Sequence, residues 1–291
     1  MKSKTSYDEK YVNISETLKI HYFDSSVGNI TFLLVHGLSS NLHLFDGVAS
    51  ELMNFGYRVI TLDQRGHGGS CKPDSGYDFD SITNDLKLFI DSVGIREHFV
   101  LVGQSWGGNV VLDFASRYHL TNLIGVCLID GGFLNLSKAF QSWEDCKKVL
   151  TPPNLEGIQR DDFEKLIRNH HPAWPESGIN GTLENFEILK DNTIRPWLNI
   201  DNHLLILKSL YEHNPNKVAE TVTVPVLIVP ASPSKDEIQF KKDGLAEIDG
   251  ILKESRTKWF FESDHDIHAE HPHELALLLH ESLEQNFFKV H

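Results

Sequence analysis

The sequence predicts an α/β protein: a mostly parallel sheet flanked by helices, interrupted by an inserted helical segment. Three observations carry this expectation. Short apolar runs rich in Val, Ile, Leu and Phe alternate with longer stretches of helical spacing; several runs are apolar at consecutive positions; and the alternation stops from Phe133 to about Val222. Consecutive apolar positions mark strands buried on both faces, as a helix-covered parallel sheet requires. Strand followed by helix, repeated, is the signature of the α/β class.

In chain order the strand candidates are "LKIHYF" (Leu18 to Phe23), "ITFLLVHG" (Ile30 to Gly37), "YRVITLD" (Tyr57 to Asp63), "HFVLVG" (His98 to Gly103), "LIGVCLID" (Leu123 to Asp130), "VPVLIVPA" (Val224 to Ala231) and "TKWFFES" (Thr257 to Ser263). Among the helix candidates, "LFDGVASELMNFG" sets Leu44, Val48, Leu52 and Phe55 on one face and ends at Gly56. "DSITNDLKLFIDSVG" aligns Ile82, Leu86 and Ile90 and ends at Gly94, where a left-handed glycine closes helices readily. "HELALLLHESLEQNFF" carries Leu275, Leu278, Leu279 and Leu283 at helical spacing. The span without strong strands holds Trp143, Trp174 and Trp197, with a small hairpin expected at Asp191-Asn192 in "NFEILKDNTIRPWL". So long a stretch does not suit a loop in a compact domain. It reads as a cap of residues 133–221 inserted into a core of residues 1–132 and 222–291.

The chain has 291 residues, 40% hydrophobic and 23% charged, with no low-complexity tract. Lys plus Arg is 27 and Asp plus Glu is 41, a formal charge of −14. That balance argues against nucleic-acid partners and against an anionic membrane surface. Three cysteines without a CxxC pair exclude a disulfide framework or a cysteine metal knuckle. "MKSKTSYDEKYV" has no apolar signal region, and the longest apolar runs are too short to span a bilayer. A cytoplasmic protein is the expectation.

The chemistry centres on "HFVLVGQSWGGNVV", where Ser105 lies between Gly103 and Gly107, with a strand before it and a helix after. In an open parallel sheet, ligands bind beyond the C-terminal strand ends. A G-x-S-x-G turn there pushes the serine side chain outward and aims the free N–H groups of the next helix at it. A serine hydroxyl becomes nucleophilic only when a base takes its proton. "ESDHDIHAEHPHE" offers four histidines. His265, directly after the last strand, is the first candidate for the base and His268 the second; His271 and His273 read as solvated. The cluster fits neither H-E-x-x-H nor H-x-x-E-H, so no metal is expected. Asp130 ends a buried strand before two glycines, a position with few structural reasons for a carboxylate.

These pieces together resemble the α/β-hydrolase superfamily. "LLVHGLSSN", "LDQRGHGGS", "LVGQSWGGNVV", "LIDGG", "VPVLIVPASPSKD" and "SDHDIHAEHP" stand in that family's order across nearly the whole chain. The resemblance implies a triad whose acid, in most relatives, follows the "VPVLIV" strand by about nine residues. Here that position is Ser234, which cannot serve. Some relatives take the acid from the end of the preceding strand, which makes Asp130 the candidate and Asp236 the runner-up. The resemblance also implies an oxyanion hole from the backbone N–H groups of Leu38 and Trp106. His36 would support that loop, and Asp63, Arg65 and His67 would form a hydrogen-bonded scaffold beside it.

Serine in place of aspartate at the elbow argues against dehalogenase and epoxide-hydrolase chemistry and for an acyl-enzyme. Trp106, Trp143, Trp174 and Trp197 are candidates to line an apolar pocket. The expected function is hydrolysis of a small apolar acyl substrate, a carboxylic ester or lactone, with no cofactor. A C–C bond hydrolase or perhydrolase-like enzyme is the alternative, as is a catalytically slow small-ligand-binding protein on the same fold.

Overall fold

The computed structural model describes residues 8–232 and 238–290. The chain opens with β1 (Glu9–Asn13), β2 (Lys19–Asp24) and β3 (Ile30–Val35), then a 3-10 turn at Leu42–Phe45 and α1 (Asp46–Asn54). There follow β4 (Arg58–Leu62), α2 (Phe79–Val93), β5 (His98–Gln104), α3 (Trp106–Arg117) and β6 (Leu123–Ile129). Next come α4 (Leu136–Ala139), α5 (Trp143–Leu150), α6 (Arg160–His170), α7 (Glu176–Leu183), β7 (Phe186–Ile188), β8 (Ile194–Pro196), α8 (Ile200–Glu212) and α9 (Pro215–Ala219). The chain closes with β9 (Val226–Val229), β10 (Ala231–Ser232), α10 (Ile238–Asp249), β11 (Ser255–Thr257), β12 (Phe260–Phe261), α11 (Ile267–Glu270) and α12 (Pro272–Glu284).

The main sheet has eight strands in the order β1-β2-β4-β3-β5-β6-β9-β11. It is parallel from β4 through β3, β5, β6 and β9 to β11, whereas β1 and β2 run antiparallel at one edge. Every residue of β6 and β9 is buried, which accounts for their unbroken apolar runs. One face packs on α2, α3 and α10 through Leu86, Phe89, Val110, Phe114 and Ile248. The other packs on α1 and α12 through Val48, Leu52, Leu275 and Leu279. α2 begins on Asp78, whose carboxylate accepts the Ser81 N–H, and ends on Gly94 at φ 71°, a left-handed stop that costs glycine nothing.

Two expectations need correction. The "TKWFFES" run is not one strand: β11 pairs with β9, and beyond Lys258-Trp259 the short β12 pairs with β10. The chain also begins its sheet earlier than expected, with β1 as an edge strand. The hairpin does form, as β7 and β8, with Asn192 at φ 64° in its turn.

Between β6 and β9 the chain leaves the sheet. α6, α7 and β8 gather Phe163, Ile167, Trp174, Ile179 and Ile194 into a cluster of their own that also touches Leu44 and Ala269. α5 lies against α8. α9 returns to the sheet layer and packs on α3.

Candidate active site

Ser105 occupies the single-residue corner between β5 and α3, at φ 52° and ψ −121°. Those angles are the first central position of a type II′ turn, unfavourable for any residue with a Cβ. Two backbone approaches enforce the corner. A Cβ on Gly103 would lie 2.2 Å from the Gly107 carbonyl oxygen, and one on Gly107 would lie 2.3 Å from that of Val35. The Ser105 N–H donates to Ile129 O at 2.8 Å, which fixes the corner to the end of β6. The side chain remains partly accessible.

Immediately after β6 comes Asp130, at φ 42°, with its side chain 2% exposed. Its Oδ2 accepts from His265 Nδ1 at 2.6 Å, and its Oδ1 from the Ala231 N–H at 2.9 Å. Lys241 Nζ, from α10, lies 2.7 Å and 2.8 Å from the two carboxylate oxygens. Burial alone would raise the Asp130 pKa; the bond from His265 and the charges of His265 and Lys241 outweigh it and hold the carboxyl below its ordinary value. His265 itself stands on the loop between β12 and α11, with its side chain 52% exposed. Desolvation pulls the imidazole pKa down, but the Asp130 bond and the charges of Asp266 and Asp130 prevail, and it is raised.

Gln104, just before the serine, ties the two halves of the site together. Its Nε2 donates to Asp266 Oδ1 at 3.2 Å and approaches His265 O at 3.5 Å. The site therefore draws together the C-terminal ends of β5 and β6 and the loop after β12. Seven described non-glycine residues have positive φ, and Ser39, Ser105 and Asp130 are three of them. Such concentration of unfavourable backbone is typical of functional sites.

The loop after β3 lies over the corner: a Cβ on Gly37 would come within 3.0 Å of the Ser105 Cβ. Among the described residues, neither the Leu38 nor the Trp106 N–H donates to a backbone carbonyl. His36 supports this loop from below. One ring nitrogen bonds Gly37 O at 2.7 Å, the other accepts from the Gln64 N–H at 3.0 Å, and burial lowers its pKa so that it stays neutral. His67 Nε2 accepts from the Ser39 N–H at 3.2 Å. Asp63 accepts the Leu42 and Gly69 N–H groups, both at 2.8 Å, and pairs with His21 at 2.7 Å. Arg65 forms a two-pronged pair with Asp85. All three residues of the "LDQRGHGGS" run thus serve as scaffold.

The other expected residues fall elsewhere. His268 is fully buried, its ring 4.6 Å from that of Phe45, with the pKa pushed by burial to about 3. His273 is exposed beside Glu51. The Trp106 ring is 1% exposed and stacks on His67, so its side chain is spent on packing. Trp174 stacks on His171 in the insert's own cluster; Trp143 sits between Tyr211 and Lys208; Lys72 lies over Trp197. Each of the four thus packs against different partners. Asp236 lies outside the described residues. Two participants had not been anticipated: Gln104 as a tether, which its place beside Ser105 could have suggested, and Lys241, which nothing local signals. Among the described residues, no group of three or more His, Cys, Asp or Glu is arranged to hold a metal ion, and no helix is long and apolar enough to cross a membrane.

Comparison with known proteins agrees with this fold. A family described as the alpha/beta hydrolase fold matches residues 30–150. The chain is 24% identical to the AB hydrolase superfamily protein YisY of Bacillus subtilis (strain 168), over 64% of this chain and 74% of that protein. It is 30% identical to a haloalkane dehalogenase of Mesorhizobium japonicum over 43% of this chain, a segment spanning 38% of the dehalogenase. The crystal structure of E-2-(acetamidomethylene)succinate hydrolase superposes with a TM-score of 0.78 at 22% identity, covering 96% of this chain and 99% of that one. The parallel sheet, the serine corner and the match over residues 30–150 agree that the chain has the α/β hydrolase fold.

Proposed function

We propose that this protein is a serine hydrolase that cleaves the acyl bond of a small substrate, a carboxylic ester or lactone, through an acyl-enzyme on Ser105. The observation that carries the reading is the 2.6 Å bond between His265 Nδ1 and the buried Asp130 carboxylate. With Asp130 ionised, Nδ1 holds the proton and donates it into that bond. Nε2 is then the free lone pair, the form a general base needs.

In the reaction, Ser105 Oγ attacks the acyl carbon as its proton passes to His265 Nε2. The imidazolium so formed is stabilised by Asp130 and returns the proton to the leaving alkoxide. Water then repeats the sequence on the acyl-enzyme, with His265 taking its proton. The negative oxygen of each tetrahedral intermediate is received by the N–H groups of Leu38 and Trp106, the second at the N-terminus of α3. Protein groups and water complete the chemistry without a cofactor. The dehalogenase likeness does not extend to mechanism in this reading, since Ser105 stands where carboxylate chemistry would need an aspartate.

Residues 133–221 form the substrate-facing cap. The insert begins three residues after Asp130, and α7 packs on the 3-10 turn that follows the Leu38 loop; both support this reading. The tryptophan packing described above leaves the apolar lining to other cap residues.

Intact mass after exposure to a fluorophosphonate probe tests the proposal. One adduct on Ser105, absent in Ser105→Ala and slowed by several orders of magnitude in His265→Ala, is the expected result. A wild-type protein that remains unlabelled would overturn it and favour a ligand-binding role for the same fold.

A further inference from the structure

Lys241 belongs to this site, yet neither the motifs nor the proposed chemistry uses it. Its Nζ lies 2.7 Å from Asp130 Oδ1, 2.8 Å from Asp130 Oδ2 and 2.6 Å from Ala231 O. Those three acceptors account for all three ammonium protons. The pair is sheltered, with Lys241 15% and Asp130 2% exposed, so solvent screens it little. An ammonium so fully engaged has no donor left for a substrate. It reaches both carboxylate oxygens, including Oδ2, which also accepts from His265 Nδ1.

We infer that Lys241 is a positioning residue of the site: it fixes the Asp130 carboxylate toward His265, anchors α10 to the strand ends, and sets the pH range in which the site works. This rests on the serine-hydrolase reading above for its consequence in catalysis, although the effect on His265 can be measured without turnover. The ammonium lies one carboxylate away from the imidazole. It offsets part of the charge that would otherwise favour imidazolium.

Among the described residues three charged groups act on His265: Asp130 from the end of β6, Lys241 from α10 and Asp266 on the same loop, while the nearby His268 of α11 is buried and neutral. Beyond them, His171 and Asp264 pair at 3.2 Å and act on Asp266 rather than on His265 directly. Two carboxylates therefore favour the imidazolium and one ammonium opposes it. Asp266 is desolvated and its own pKa raised, yet it still acts on the ring beside Asp130, and Lys241 is the cation that opposes both. Removing Lys241 tips the balance toward the charged ring, and the site should lose its free base at higher pH.

The experiment follows the His265 imidazole by NMR titration in the full-length protein, identified by its absence in His265→Gln. Lys241→Met and Lys241→Gln remove the charge, the second keeping hydrogen-bond donors; Lys241→Arg keeps the charge. The midpoint should rise by about 1 pH unit in both neutral variants, the scale of one charge gained or lost nearby, and return toward wild type in the arginine variant. The acid limb of kcat/KM for a p-nitrophenyl ester should move in the same direction and by the same amount. A merely structural lysine would lower stability or kcat without moving either midpoint, and that result overturns the inference. Loss of folding in both neutral variants likewise assigns Lys241 to stability and overturns it. If the wild-type serine is not labelled by fluorophosphonate yet the midpoint still moves, the inference stands and the hydrolase reading falls. Labelling with an unmoved midpoint means the reverse.

Discussion

Replacing Asp130 by Asn tests the site where its geometry is most demanding. The carboxylate accepts from His265 Nδ1, from the Ala231 N–H and twice from Lys241. An amide has one oxygen and one NH2, so one side must become a donor. If the NH2 takes the Oδ1 place it opposes both the Ala231 N–H and the ammonium. If it takes the Oδ2 place it opposes the ammonium once and meets His265, which can adapt by moving its proton from Nδ1 to Nε2. The second arrangement has fewer donor–donor clashes and is the expected one. It leaves His265 with no lone pair for the Ser105 proton. In related triads this substitution lowers kcat by about 10⁴, equivalent to about 5 kcal/mol of barrier at 1.36 kcal/mol per decade. KM should change little, because nothing that touches substrate has moved. The assay is steady-state turnover of a p-nitrophenyl ester beside the rate of fluorophosphonate labelling. A variant within tenfold of wild type in both would refute the reasoning and send the acid to Asp236.

Other expectations follow from the same contacts. Because the His265 pKa is raised above its ordinary 6.5 and the base works only when neutral, kcat/KM should fall as pH drops, with its midpoint above 6.5; a midpoint below 6 contradicts the Asp130 pairing. His268→Leu should keep fluorophosphonate labelling and raise stability by about 1 kcal/mol, since neither buried ring nitrogen has a protein partner; loss of labelling would make His268 the base. Gly103→Ala should destabilise by about 3 kcal/mol or more in urea unfolding, because the new methyl meets the Gly107 backbone; a change under 1 kcal/mol would mean the corner can relax. Burial works against charge on His43, but Asp46, Asp63 and Glu9 raise its pKa to about 9. A raised folded value contributes stability that is complete below the unfolded 6.5 and lost as pH climbs through 9. The fall in wild-type stability between pH 6.5 and 9.5 should therefore flatten in His43→Gln; an equal slope in both proteins removes His43 as its source.

The parts of this fold that could be read from the sequence are those where burial writes itself into consecutive residues. β3, β5, β6 and β9 are covered on both faces, and each carries several apolar residues in succession. β1 could not be read, because it is an edge strand whose five residues alternate between exposed and half-buried and include only Tyr11 and Val12 as apolar members. α10 was hidden for a similar reason: "IQFKKDGLAEID" has a weak apolar stripe and a central glycine. Ser105 and its neighbours were legible because a sharp turn demands glycines at fixed offsets. The candidate acid was harder to choose, since the usual position holds Ser234, and Asp130 was favoured by a bare carboxylate at a strand end together with the relatives that take the acid there, with Asp236 as runner-up. Lys241 was beyond reach. It meets Asp130 across 111 residues of chain, and a lysine on a polar helix carries no mark of the partner that folding will bring to it.

The corner at Ser105 has one more consequence, for how stable this protein can be. Backbone at φ 52° and ψ −121° is open to glycine and strained by about 1–3 kcal/mol for any other residue. The fold is therefore not at its thermodynamic optimum at the residue to which the proposed chemistry is assigned. Ser105→Gly should melt higher than wild type while being inert, and Ser105→Ala, inert too, should gain nothing from the backbone. Selection for heat resistance alone would drift toward glycine there; under the proposed function, a demand for a reacting hydroxyl is what keeps the less comfortable residue in place.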